Sequence, residues 1–224
     1  MTPLVKLNAR DLHVRPITRR CALPMILERH YMRRVPPISV AFGLFNDDQM
    51  IGVVTYGISA SMTLRRGVCG NDEASNVYEL TRLWTEDFAP KNAESFLIGR
   101  SMRMLDKEII VTFAEIAAGH IGTIYQAANF IYVGLSAKRT DWKVKGKEHL
   151  HSATIAGEFR GLQNRTALLR KKYGDNFYIA PRPRKHKYVF FNARKKRRRE
   201  LIKMLRYAIH PYPKKEEVMA YDAA

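Results

Sequence analysis

A chain of 224 residues, 46% of them apolar, is long enough for one large or two small domains with a proper core. It has no run of about 18 apolar residues, so no membrane-spanning helix is expected; two cysteines, Cys21 and Cys69, are too few for a disulfide framework and lack metal-ligand spacing. The formal net charge of +18 points to a polyanionic partner. The start, MTPLVKLNARDLHVRP, lacks the basic, apolar and small-residue succession of a secretory signal, and a reducing cytoplasm is the expected setting.

Taken in chain order, LHVRPI (12–17) predicts a strand and RRCALPMILERHY (19–31) a helix that Pro24 delays or kinks. After the VPP break at 35–37, SVAFGLFND (39–47) and QMIGVVTYGIS (49–59) predict two apolar strands of an antiparallel hairpin. MTLRRGVCGNDEAS reads as a loop, NVYELTRLW (76–84) as a strand, AESFLIGRSMRMLDKE (93–108) as a helix and IIVTFAEI (109–116) as a buried strand. GHIGTIYQAANFIYVGLS (119–136) then reads as a helix running into a strand. Its His120, Tyr125, Gln126, Asn129 and Tyr132 each need a hydrogen-bond partner or a cavity, because an unpaired buried polar group costs about 1–3 kcal/mol. DNFYIAPRPRKHKYVFFNA (175–193) predicts a hairpin around PRPRKH, and KKRRRELIKMLRYAIH (195–210) a basic helix with Leu201, Ile202, Leu205 and Ile209 on one face.

The charge is unevenly spread. Residues 1–137 hold 15 Lys and Arg against 13 Asp and Glu, and residues 138–224 hold 24 against 8. The expected organisation is a near-neutral catalytic core, 1–137, with a basic DNA-binding extension, 138–224, packed on it. A phosphate backbone accounts for such a bias through counterion release; the bland alternative is a tail that only confers solubility. Aromatics at Phe177, Tyr178, Tyr188, Phe190 and Phe191 argue for folded elements.

The element order predicts an α/β fold with a mixed, mainly antiparallel central sheet flanked by helices, closed by a basic C-terminal hairpin and helix. Over residues 10–137 it resembles the GNAT acyltransferases. In that fold a Gly-rich loop opening the helix after the fourth strand cradles a pyrophosphate. Here the matching segment, RLWTEDFAPKNAESF, has no glycine, which speaks against an acyl-CoA donor bound in the usual manner. Arg82, Asn92 and Ser95 stand there to recognise an anionic or polar group, or Asn92 and Ser95 only cap the helix.

ERHYMRRVPP (28–37), FGLFNDDQMIGVVTYG (42–57), YELTRLW (78–84), GHIGTIYQAANFIYVG (119–134) and KHKYVFFNA (185–193) together resemble the bacteriophage Mom family along nearly the whole chain. The resemblance implies a phage DNA-modifying transferase, acting in the cytoplasm of the infected host. It would place a carbamoylmethyl group on the exocyclic amine of adenine and so protect the DNA from restriction. Its partners would be double-stranded DNA and a small-molecule group donor of unknown identity, with no membrane involved. Two other readings stay open: an acyl-CoA-dependent acetyltransferase acting on RNA or protein, and a nucleic-acid-binding protein without catalysis.

Chemistry on a base requires its extrusion into a pocket of stacking and hydrogen-bonding groups. The expected catalytic residues are His30, Tyr31, Arg82, Ser95, Tyr125 and Tyr132. His30 titrates near neutrality and suits proton removal, or is only a helix-terminal histidine. A tyrosine is a plausible acid toward a leaving group. Arg82 is costly on a core-facing strand unless it meets a ligand or an acid, and Glu79 points to the opposite face of an ideal strand. Expected substrate-binding residues are Tyr56, Asn92, His120, Gln126 and Asn129, the amides suiting an adenine edge. Tyr56 is otherwise simple packing. For DNA, the candidates are His151, Arg182, Arg184, Lys185, His186, Lys187, Lys195, Lys196, Arg197, Arg198 and Arg199. His30, His120, Glu115 and Tyr31 are metal-ligand types, but no HxH or HExxH spacing links them, and no metal is assigned.

Overall fold

The computed structural model describes residues 8–150 and 152–214. A seven-stranded sheet runs β1 (His13–Ile17), β2 (Val40–Asn46), β3 (Gln49–Gly57), β4 (Val77–Thr85), β5 (Ile109–Glu115), β9 (Lys185–Phe191), β6 (Ile131–Leu135) across its width. Every neighbouring pair is antiparallel except β4 with β5. The sheet is therefore mixed and mainly antiparallel, with helices on both faces.

Side-chain alternation sorts these helices. In β5, Ile110 and Ala114 pack toward α3 (Ala93–Met102) and α4 (Thr123–Ala127), sharing a core with Leu97, Ile98, Ile124 and Phe130. Ile109 and Val111 face the other way, against Val68 of α2 (Met62–Cys69) and Leu201 of α7 (Lys195–Met204). On that second face α1 (Arg19–Pro24) buries Ala22 against Ala41 and Val53, beside Ile26 of the turn that follows it.

Pro24 has the effect its ring dictates. The chain continues beyond it as a wide π turn, Met25–Arg29, closed by the His30 N–H donating to the Met25 carbonyl at 3.2 Å. His30 is then extended, so its ring leaves the helical path.

Four expectations fail. The segment read as a loop contains α2, because Ser61 caps it by accepting from the Leu64 N–H while Leu64 and Val68 share its buried face. The basic hairpin does not form: β8 (Phe177–Arg182) pairs with β7 (Arg139–Val144) in a separate two-stranded sheet, and β9 enters the main sheet. Pro181 and Pro183 remove the donors a tight hairpin across PRPRKH needs. The last helix stops at Met204, leaving Ile209 exposed. Finally, the charge boundary at 137 is not a boundary of the sheet, since β9, from the basic side, lies between β5 and β6.

Residues 138–184 thus form an insert between β6 and β9. Besides β7 and β8 it holds α5 (Ser152–Ile155) and α6 (Arg165–Tyr173), around a small core of Val144, Ile155, Ala156, Leu169 and Phe177.

Candidate active site

β4 and β5 share a parallel ladder only where residues 77–79 meet 109–111. Beyond it both strands continue unpaired with each other, and a cleft of about 550 Å³ opens between them. β4 carries a bulge just past the ladder. Thr55 pairs with Arg82 and Tyr56 with Leu80, so Thr81 is an extra residue in β4. Its hydroxyl is fixed by the Thr55 hydroxyl at 2.8 Å and by the carbonyls of Thr55 and Pro37 at 3.2 and 3.3 Å.

That bulge overturns the ideal-strand expectation. Glu79 and Arg82 lie on the same face, and both line the cleft. Arg82 donates through Nη1 to the Thr81 carbonyl at 2.6 Å and through Nη2 to the Arg34 carbonyl at 3.3 Å. Among the described residues its buried Nε has no hydrogen-bond partner, and the guanidinium forms no ion pair. Burial lowers its hold on the proton, offset in part by Tyr31 and Glu79. With backbone carbonyls as its hydrogen-bond partners and Glu79 only nearby, the guanidinium keeps its charge available to the cleft.

The opposite wall comes from the extended exit of the π turn. The His30 and Tyr31 rings stack at 4.5 Å, and His120 meets Tyr31 edge-on at 5.6 Å. His30 is only 6% exposed; Tyr31, at 56%, stands at the mouth. Burial, with Arg82 and His120 adding to it, pushes the His30 imidazole down to about 4. Its Nδ1 accepts from the Met32 N–H at 3.1 Å, which fixes the neutral ring with its proton on Nε2. At neutral pH His30 is therefore a hydrogen-bond donor toward the cleft. Burial raises both Tyr31 and Tyr125, with Glu115 adding to Tyr31, so both hydroxyls stay protonated. Glu115 is ion-paired with Lys185, and both line the cleft.

Of the expected catalytic and substrate residues, the cleft gathers His30, Tyr31, Arg82, His120 and Tyr125. The others lie elsewhere. Tyr56 is fully buried and bonded to the Ser101 hydroxyl at 2.7 Å. Tyr132 is buried against His186, its hydroxyl 2.8 Å from Nδ1. Gln126 Nε2 lies 3.1–3.4 Å from the Ile121 carbonyl, the Tyr188 hydroxyl and the Pro213 carbonyl, and its two hydrogens tie the segment at Pro213 to the core. Asn92, Ser95 and Asn129 line a second cavity of about 820 Å³ beside α3, with Lys91, Arg103 and Arg198. Asn92 makes no side-chain cap, and Ser95 donates to its carbonyl at 3.0 Å. Among the described residues no group of three or more His, Cys, Asp or Glu is placed to hold a metal ion.

The basic candidates divide sharply. His186 and Lys187 are buried, Lys187 with its ammonium 3.5 Å from the Tyr207 ring centre. Arg182 pairs with Asp141, Arg184 donates to the Ser136 and Leu135 carbonyls, and Lys185 belongs to the cleft. Arg197 ties α7 to Glu73 and Glu108, and Arg198 borders the second cavity. Lys195, Lys196 and Arg199 are exposed. His151 lies outside the described residues. Within the insert, Lys138, Arg139, Lys145, Arg160, Arg170 and Lys171 are exposed and form no ion pair among the described residues.

Sequence reading missed Glu79 as a cleft residue and the Glu115–Lys185 pair. Glu79 was hidden by the bulge; a carboxylate ending the apolar run IIVTFAE was the available signal for Glu115.

Sheet and cleft together define an α/β protein with a polar cleft between parted parallel strands and a cationic insert between β6 and β9. Among solved structures, spermidine/spermine N-acetyltransferase SpeG from Vibrio cholerae aligns at 12% identity over 85% of this chain and 98% of that one, with a TM-score of 0.46. An aminoglycoside N(6')acetyltransferase from Legionella pneumophila aligns at 11% identity over 86% and 95%, with a TM-score of 0.44. The chain belongs to the Mom protein family, whose profile matches residues 11–214. The methylcarbamoylase mom of Escherichia phage Mu is 27% identical over 217 residues, covering 94% of this chain and 87% of that protein.

Proposed function

We propose that this protein modifies DNA by transferring a carbamoylmethyl group to the exocyclic amine of an extruded adenine, in the cytoplasm of a phage-infected host, so that the DNA resists restriction. The observation that carries the reading is Arg82: a half-buried guanidinium that forms no ion pair among the described residues, facing a cleft also lined by Tyr31, His120 and Tyr125. Family membership and the relative named a methylcarbamoylase support the group transferred.

The bond formed is N–CH2. The amine nitrogen attacks the methylene carbon, the donor's leaving group departs with the bonding pair, and the amine loses one proton. His30, neutral and protonated on Nε2, suits donation to the substrate. Glu79, which makes no ion pair among the described residues, is the better proton acceptor in the cleft. Arg82 stabilises negative charge developing on the leaving group or on the carbamoyl oxygen, and a protonated tyrosine hydroxyl assists departure.

Mass spectrometry of nucleosides from plasmid DNA of cells expressing the protein tests this. Deoxyadenosine carrying one carbamoylmethyl group is expected; wholly unmodified deoxyadenosine under active expression contradicts it. Acetyl-CoA titration by calorimetry separates the competing reading, for which tight binding would speak.

A further inference from the structure

The five residues after His30, YMRRV (31–35), are all exposed, yet their backbone is fixed against the cleft. The Met32 N–H donates to His30 Nδ1 at 3.1 Å, and the Arg33 N–H to the His30 carbonyl at 3.0 Å. The Arg34 carbonyl accepts from Arg82 Nη2 at 3.3 Å. Tyr31 and Met32 line the cleft itself. Beyond the segment Pro36 is buried, and the Pro37 carbonyl lies 3.3 Å from the Thr81 hydroxyl at the bulge. Residues 31–35 are thus a rim tied to the cleft at both ends. Arg33 pays for its place in it with a left-handed φ of 39°, uncommon for a residue other than glycine.

This rim carries two kinds of side chain. Tyr31, Met32 and Val35 keep apolar surface in solvent beside the cleft. Arg33 and Arg34 form no ion pair among the described residues, whereas Arg29, before the rim, lies 4.0 Å from Glu86. Lys185, also in the cleft wall, is occupied by Glu115. The Arg34 charge is near enough to Arg82 to weaken that residue's hold on its proton. Two guanidiniums that repel each other are stabilised together by an anion. A nucleotide stays joined to its two phosphates when its base leaves the stack. A cleft that takes the base therefore has those phosphates at its mouth, where these arginines stand.

We infer that residues 31–35 grip the duplex at the point of base extrusion, with Arg33 and Arg34 on the phosphates adjoining the extruded adenosine. This rests on the base-extrusion reading above. It assigns phosphate contacts to the near-neutral part of the chain, outside the basic final third. Arg34 then serves twice, its carbonyl holding Arg82 and its guanidinium holding the strand.

The test uses the full-length protein and two duplexes of one sequence, fully paired or with a single adenine opposite an abasic site. Anisotropy over a salt series reports binding. Wild type should bind the unpaired adenine about tenfold more tightly, because no pairing is lost on extrusion. Arg33→Asn with Arg34→Gln suits the left-handed residue and keeps the Arg34 carbonyl for Arg82. That double variant should bind the unpaired adenine about tenfold more weakly than wild type, with a log–log salt slope shallower by about two. Arg33→Lys with Arg34→Lys should keep the wild-type slope. Neutral methylphosphonates at the two phosphates beside the unpaired adenine should weaken wild type and leave the double variant unchanged. An unchanged slope in the double variant, or equal sensitivity of both proteins to the methylphosphonates, overturns the rim assignment and leaves extrusion standing. Should the double variant not fold, a wild type indifferent to the methylphosphonates overturns it. No preference of wild type for the unpaired adenine removes the extrusion reading itself, and the rim assignment with it.

Discussion

Arg82 is the residue on which the chemistry turns. Its guanidinium is held by two backbone carbonyls, so its charge is left for whatever enters the cleft. Lysine keeps the charge but not the planar fork, and Arg82→Lys should lower adenine modification about a hundredfold without weakening DNA binding; nucleoside quantification beside anisotropy measures both. His30 gives a prediction in pH. Its folded value, about 4, lies below its ordinary 6.5, so the unfolded chain takes up the proton first on acidification. The ring's contribution to stability is present above pH 6.5 and is lost as pH falls from there toward 4. His30→Asn preserves an acceptor for the Met32 N–H and removes this titration. Thermal melts from pH 7.5 to 4.5 should therefore fall more steeply for wild type than for His30→Asn, and equal slopes would refute the assignment.

At the scale of elements, legibility followed local periodicity. β2, β3 and α3 are long patterned runs, and the alternation or 3.6-residue spacing that revealed them is the pattern the core buries. The bulge at Thr81 was invisible, since one inserted residue changes which face Glu79 and Arg82 share without altering composition. The destination of β9 was hidden for a different reason: Lys187 and His186 read as surface cations, yet sheet pairing buries them between β5 and β6. Of the 119–136 segment, the sequence correctly marked polar residues needing partners, but only long-range packing sends His120 and Tyr125 to the cleft and Gln126 and Tyr132 into internal bonds. The turn before α4 is testable. Gly122 has φ 80°, and a Cβ there would stand 2.6 Å from the Tyr188 ring. Gly122→Ala should cost about 1–3 kcal/mol, read by denaturant unfolding, and wild-type stability would contradict the packing described.

The whole molecule combines a cleft with a cationic insert and an α7 whose charges serve two ends. Arg197 holds the helix to Glu73 and Glu108, so Arg197→Met should reduce stability more than DNA affinity. Neutralising Lys195, Lys196 and Arg199 together should do the reverse. If about six phosphates are contacted, log affinity should fall against log salt with a slope near −5, and a flat response would remove the basic surface from the interface. The most direct test of the account is the modified-adenine content of one plasmid recovered from cells making wild type, Arg82→Lys or Glu79→Gln, with each protein's DNA affinity measured alongside. Abundant carbamoylmethyl-adenine with wild type, and near-complete loss with both variants at undiminished affinity, is the expected result. Undiminished modification by the variants would place the chemistry outside the β4–β5 cleft and contradict the account.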